Sequence, residues 1–117
     1  MNGRKIAGML GFAARARQTA AGMEACRILA RSGQCGVMLI DSGTAANTRK
    51  KAEDLSRETH TPAIVLPAGM IESATGKQNM VISVRKGSFS DQILSLSKGQ
   101  PVHNPGTGIM NPESTMP

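Results

Sequence analysis

The 117-residue chain has the length of one domain with a single hydrophobic core, and no apolar run in it is long enough to span a bilayer. Its net charge of +6 is unevenly spread: residues 1–51 carry nine Lys or Arg against two acids, whereas residues 52–117 carry five against six. A basic half suits a polyanion partner, foremost nucleic acid or a ribonucleoprotein, and equally serves solubility. With no Trp or Tyr and only Phe12 and Phe89, the chain lacks the platforms on which single-stranded bases stack. RNA contact would rest on charge, backbone amides and shape.

Asn2 is placed to cap a first helix running to about Arg15, with Ile6, Met9, Leu10 and Ala13 at helical spacing. Gly8 and Gly11 weaken that helix in isolation, so docking must hold it. Arg15 and Arg17 stand at its C-terminal end, where cations complement the helix dipole. Gln18 to Ala21 reads as a short edge strand leading into Gly22. A helix then runs from Met23 to Ser32 with Ala25, Cys26, Leu29 and Ala30 on its apolar face, and Gly33 stops it. The amides of Gly22, Met23 and Glu24 at this glycine-mouthed helix start are the most suggestive chemistry in the chain. A phosphate or base edge can approach such a backbone closely, although most helix ends hold only water. Val37-Met38-Leu39-Ile40 follows as a strand buried on both faces.

Ser42-Gly43 turns the chain, and Thr44 is a fair N-cap for a helix over Ala45–Glu58. Arg49, Lys50 and Lys51 near its start read as a solvated face, with a phosphate contact as the sharper alternative. Glu58-Thr59-His60-Thr61-Pro62 breaks the helix, Ala63 to Leu66 reads as a second buried strand, and Met70 to Thr75 as a short helix. After the polar loop Gly76–Asn79 comes a last strand, Met80 to Val84. Ser88-x-x-Asp91 resembles a capping box for a helix to about Ser97. Residues 1–97 thus form one domain, and 98–117, rich in Pro and Gly without periodicity, read as a disordered tail. The alternation of helices and strands argues an α/β fold, a three-layer α/β/α sandwich. Strand order stays open, because the short first strand can pair antiparallel at an edge. Cys26 and Cys35 lack zinc spacing, and Cys26 on an apolar face reads as a buried free thiol, so no metal or cofactor is expected. No secretory signal is recognised, which places the chain in the cytoplasm by expectation.

Several words of the sequence coincide with one family: L-G-F-A-A-R-A-R (10–17), G-M-E (22–24), R-S-G-Q (31–34), A-N-T-R-K-K (46–51), A-T-G-K (74–77) and G-S-F (87–89). With these the chain resembles the bacterial YlxQ-like proteins, of the superfamily of small ribosomal proteins (the "seven-Ae" and "thirty-e" large-subunit types) that grip kink-turn RNA. The resemblance implies a four-stranded mixed sheet and RNA binding by the helix that begins at Gly22. Its glycine and first-turn polar residues would enter a widened major groove at tandem sheared G·A pairs. Glu24 falls at the first base-reading position, and the loop Gly76–Asn79, with Lys77 and Gln78, at the segment that covers an extruded base. Kink-turn binders of this superfamily read G-x-N-E-x-x-K where this chain has G-M-E-A-C-R-I, so Ala25 and Ile28 replace a carboxylate and a lysine.

The leading expectation is a non-enzymatic, ribosome-associated monomer that binds structured, kink-turn-like RNA, with ribosomal proteins as further partners and no membrane partner. Gly22, Met23 and Glu24 would address base edges, with Arg27, Arg31, Lys77, Gln78, Arg15 and Arg17 around them. The alternative is a protein-interaction module of the same fold that has lost kink-turn specificity, which Ala25 and Ile28 favour. An enzyme ranks last: there is no phosphate loop, no nucleophile near a histidine, and Asp41 at a strand end has no partner carboxylate.

Overall fold

The computed structural model describes residues 3–97 and the strand at 102–103. In chain order its elements are α1 (Gly3–Arg15), β1 (Thr19–Ala21), α2 (Met23–Arg31), β2 (Cys35–Asp41), α3 (Ala46–Thr59), β3 (Ala63–Leu66), α4 (Met70–Thr75), β4 (Val81–Arg85), α5 (Ser88–Leu96) and β5 (Val102–His103). The chain is a three-layer α/β/α sandwich on a four-stranded mixed sheet ordered β1-β4-β2-β3, with the two-residue β5 added beside β3. β5 lies inside the segment expected as tail; the remainder of that segment, and Asn2 as a helix cap, fall outside the described residues.

Burial explains the layers. Val37, Met38, Leu39 and Ile40 of β2 are shut away from solvent, as a strand covered on both faces must be. Val37 and Leu39 pack with Ile64, Leu66, Ile82 and Val84 beneath Ile6, Leu10 and Ala13 of α1, Ile71 of α4 and Ile93 of α5. Met38 and Ile40 face the other way, under Cys26, Leu29 and Ala30 of α2 and Ala52 and Leu55 of α3. Among the described residues, no helix is long and apolar enough to cross a membrane.

The directions of the strands set where each helix begins and ends. β4 lies between β1 and β2 and runs antiparallel to both, whereas β2 and β3 are parallel. Hence β1, β2 and β3 all run the same way, and the starts of α2, α3 and α4 gather at the end where these strands finish. The C-termini of α1 and α2, the end of β4 and the start of α5 gather at the opposite end.

Two local expectations change. The N-cap position of α3 is Ala45, with no side-chain cap, rather than Thr44. At α5 the N-cap is Gly87, whose amide donates to Ser90 Oγ at 3.1 Å, so the Ser88/Asp91 pairing does not form. Gly33 ends α2 as expected, at φ 77°, with Gln34 N–H donating to the Leu29 carbonyl.

Two glycines are set by close approach. Gly11 brings α1 against α4, where a Cβ would stand 3.0 Å from the Ala74 carbonyl oxygen. Gly36 marks a register shift between Cys35 and Val37 that turns these two side chains to opposite faces. A Cβ on Gly36 would meet the Ser90 Cβ at 2.5 Å. Gly36→Ala is therefore expected to lower stability by about 1–3 kcal/mol in urea denaturation. Gly8→Ala, in α1 with open space around the new methyl, should raise it by up to about 1 kcal/mol. Equal stability of Gly36→Ala and the native chain would contradict the packing of α5 on β2.

Candidate nucleic-acid interface

Glycine at position 22 follows from the backbone, which takes φ 89° and ψ 157° between β1 and α2. Its amide donates to the Val81 carbonyl at 2.9 Å, which ties the helix mouth to the start of β4. The first helical bond runs from Cys26 N–H to the Gly22 carbonyl at 3.0 Å. The amides of Met23, Glu24 and Ala25 therefore precede the ladder. Nothing lies within 4 Å of where a Gly22 Cβ would stand, so the space beside Gly22 is clear, while Gly22, Met23 and Ala25 are half-buried.

Glu24 is well exposed, its side chain 76% accessible, and forms an ion pair with Arg27 one turn on. An exposed pair of this kind contributes little to stability, but it engages both groups. Lys77 and Gln78 lie in the loop that delivers the chain to Met80 and Val81, whose carbonyls accept from Asp41 and Gly22. Loop and mouth thus share one end of the sheet. Gly76, at φ 77°, ends α4, and Thr75 Oγ accepts from Lys77 N–H at 3.3 Å, which shapes the loop base.

Three expected cations stand elsewhere. Arg17 precedes Gln18, whose carbonyl accepts from Arg85 N–H at the far end of β4. At about 3.4 Å per residue, Gln18 is roughly 14 Å from Gly22. Arg15, at the end of α1, stacks over the Phe12 ring with 4.9 Å to its centroid. Arg31 closes α2, roughly 12 Å from its start at 1.5 Å per residue, and is held by Glu58 of α3 at 3.0 and 3.3 Å. The first turns of α3 supply cations at the mouth end instead. Arg49 pairs with Glu53 and Lys50 with Asp54, each four residues on. Their place beside the mouth depends on α2 and α3 packing side by side, which residue spacing alone does not show.

Asp41 has a structural task at this end. Its buried carboxylate accepts from Gly43 N–H at 2.7 Å and from Gly69 N–H at 2.9 Å, so it joins the β2–α3 turn to the β3–α4 turn. The two cysteines lie under α2. Burial pushes the Cys26 thiol up to about 11 and raises Cys35 as well, against the opposing influence of the Ser83 hydroxyl. That hydroxyl is buried beside the sulfurs without a hydrogen bond of good geometry.

Comparison with known proteins adds a relative. A protein with unknown function from Bacillus halodurans is 31% identical, with a TM-score of 0.75 over 80% of this chain and 97% of that one. The chain belongs to the same family as that protein. No family model matches the sequence, and no curated protein matches it.

Two outcomes follow. Asp41→Ala should cost on the order of 2 kcal/mol and speed hydrogen exchange at the Gly43 and Gly69 amides; unchanged exchange would show that the carboxylate does not hold the turns. The Cys26 thiol keeps its proton in the fold above the value of 9.0 at which the unfolded chain releases it. The unfolded chain therefore binds fewer protons, and stability falls as pH rises from about 9 to about 11. Urea midpoints between pH 8.5 and 10.5 should decline, and decline less in Cys26→Ala; parallel declines would clear the thiol of that role.

Proposed function

We propose that the protein is a non-enzymatic, ribosome-associated RNA-binding protein that recognises structured, kink-turn-like RNA through the start of α2. The observation that carries this reading is the open mouth at Gly22, with three amides ahead of the helical ladder and an exposed carboxylate at position 24. Amides at a helix start attract phosphate, and a carboxylate accepts from the guanine N1–H and N2–H₂ edge. Gly22, Met23 and Glu24 would read base edges and backbone. Arg27, Lys77 and Gln78, with Arg49 and Lys50 of α3, would position the strand.

The Glu24–Arg27 pair gives the two residues separable effects. In the absence of RNA each neutralises the other, so Glu24→Ala both removes the base-reading acceptor and frees a cation. That variant should lose any preference for a duplex with tandem sheared G·A pairs over a plain duplex, while binding the plain duplex at least as tightly as the native chain does. Arg27→Ala should weaken both RNAs equally and flatten the log–log salt dependence by about one unit at most. Gel shifts with the two duplexes at several salt concentrations check this. Equal affinity of the native chain for both RNAs would end the claim of kink recognition.

A second reading, a protein-interaction module of the same fold, is favoured by Ile28, 65% exposed one turn into α2. Co-purification after nuclease treatment separates the two, since a protein partner retained without RNA supports the second.

A further inference from the structure

The end of the sheet away from Gly22 carries a feature that the mouth lacks. Besides the α3–β3 connection, three loops meet there: residues 15–18 (Arg-Ala-Arg-Gln), 31–34 (Arg-Ser-Gly-Gln) and 85–88 (Arg-Lys-Gly-Ser). They hold five cations and no acid. Backbone bonds stitch them together, with Arg85 N–H donating to the Gln18 carbonyl at 2.8 Å and Lys86 N–H to the Gln34 carbonyl at 2.9 Å. Arg85 and Lys86 are thereby seated between the other two loops. Arg17 is pinned at φ 59° at the end of α1, its own amide bonded to the Ala14 carbonyl and that of Gln18 to the Ala13 carbonyl.

Arg17, Arg85 and Lys86 are exposed and form no ion pair with any described residue. Arg31 is neutralised by Glu58 in the last turn of α3, where Asp54 pairs with Arg57, and Asp91 stands in the first turn of α5. The remaining residues of the rim are Gln, Ser, Gly and Ala, which offer amides and hydroxyls but no negative charge. By contrast, the loops of the mouth end (22–24, 42–45, 67–69 and 76–80) hold a single cation, Lys77, and a single acid, Glu24.

We infer that this rim is a second RNA surface, which takes the phosphate backbone of a duplex arm flanking the bend held at Gly22. The inference rests on the RNA reading above. Unpaired cations release counterions when they meet phosphates and so carry salt-dependent affinity. Paired ones, such as Arg27, Arg49 and Lys50, must first give up a carboxylate. The roughly 14 Å between the two ends, at about 3.4 Å per residue, is spanned by a short length of duplex. Labour is therefore divided: the mouth discriminates between RNAs, and the rim supplies most of the electrostatic attraction.

The test uses the full chain with Arg17→Gln, Arg85→Gln and Lys86→Gln combined, beside a control of equal charge change away from the rim, Arg4→Gln, Lys5→Gln and Lys51→Gln. Thermal melting establishes that both fold. Binding is measured against a duplex with tandem sheared G·A pairs and long flanking arms, and against a plain duplex, across a salt series. The rim variant should lose about two to three units of log–log salt slope and bind both RNAs at least tenfold more weakly at low salt. Its preference between the RNAs should be unchanged, and the control should lose less than one unit. A native slope in the rim variant, or an equal loss in the control, overturns the rim. Failure of the native chain to bind either RNA overturns the rim and the RNA reading together. Native binding without preference, combined with slope loss in the rim variant, removes kink recognition and leaves the rim standing.

Discussion

The antiparallel insertion of β4 between β1 and β2 is the constraint on which the rest of the molecule depends. Because β4 opposes both neighbours, β1, β2 and β3 point one way, and the helix after each of them begins at the same end. The hydrogen bonds that β4 makes beyond the ladder mark the two ends of the sheet. Val81 accepts from Gly22 at one, and Arg85 donates to Gln18 at the other. Had β1 lain parallel to β4, Gly22 and Arg85 would share an end, and the open amides would sit among the cations.

That separation leaves the two ends chemically unlike. The mouth end is rich in directed donors, and most of its charge is already paired, Glu24 with Arg27, Arg49 with Glu53 and Lys50 with Asp54, while Lys77 and Lys51 pair with no described acid. Exposed pairs such as these contribute tenths of a kcal/mol to folding. Their consequence is that a polyanion meets a screened surface there. The far end is the reverse, with uncompensated cations on loops whose backbones are fixed by the sheet. A surface that discriminates and a surface that attracts need not coincide, since long-range attraction tolerates a distance that hydrogen bonding does not.

The buried polar groups fit this division. Asp41 spends both carboxylate oxygens on the Gly43 and Gly69 amides and so fixes two turns flanking the mouth. Ser56 donates to the Thr61 carbonyl and holds the left-handed turn at His60 that returns the chain into β3. Gly11 and Gly36 work by absence of a side chain, each admitting a neighbour that a methyl group would push away. Loops fixed in this way would present their amides and cations to the proposed RNA with less ordering on contact, which lowers the entropic cost of binding.

Much of the architecture was legible in the residues themselves. The apolar run of β2, the helical spacing of Ile6, Leu10 and Ala13, and Gly33 as a helix stop are local signals, and each is governed by period or backbone conformation. The mouth at Gly22 was legible for the same reason. Cap assignments at Thr44 and Ser88 went to neighbours, Ala45 and Gly87, because residue type states a preference while the path of the chain out of the preceding strand decides which residue sits at the boundary. β5 was not legible, as a two-residue pairing leaves no periodicity to read. The charge asymmetry of the chain announced a basic surface but could not say where it lay. Arg15, Arg17 and Arg31 are near Gly22 in sequence yet stand at the other end of the fold, joined by Arg85 and Lys86 from more than fifty residues away. Sequence alone determined the elements, their faces and one open helix start, since these depend on neighbours along the chain. Only the tertiary structure decided which ends meet, because strand direction is set by pairing between segments that are remote in the chain.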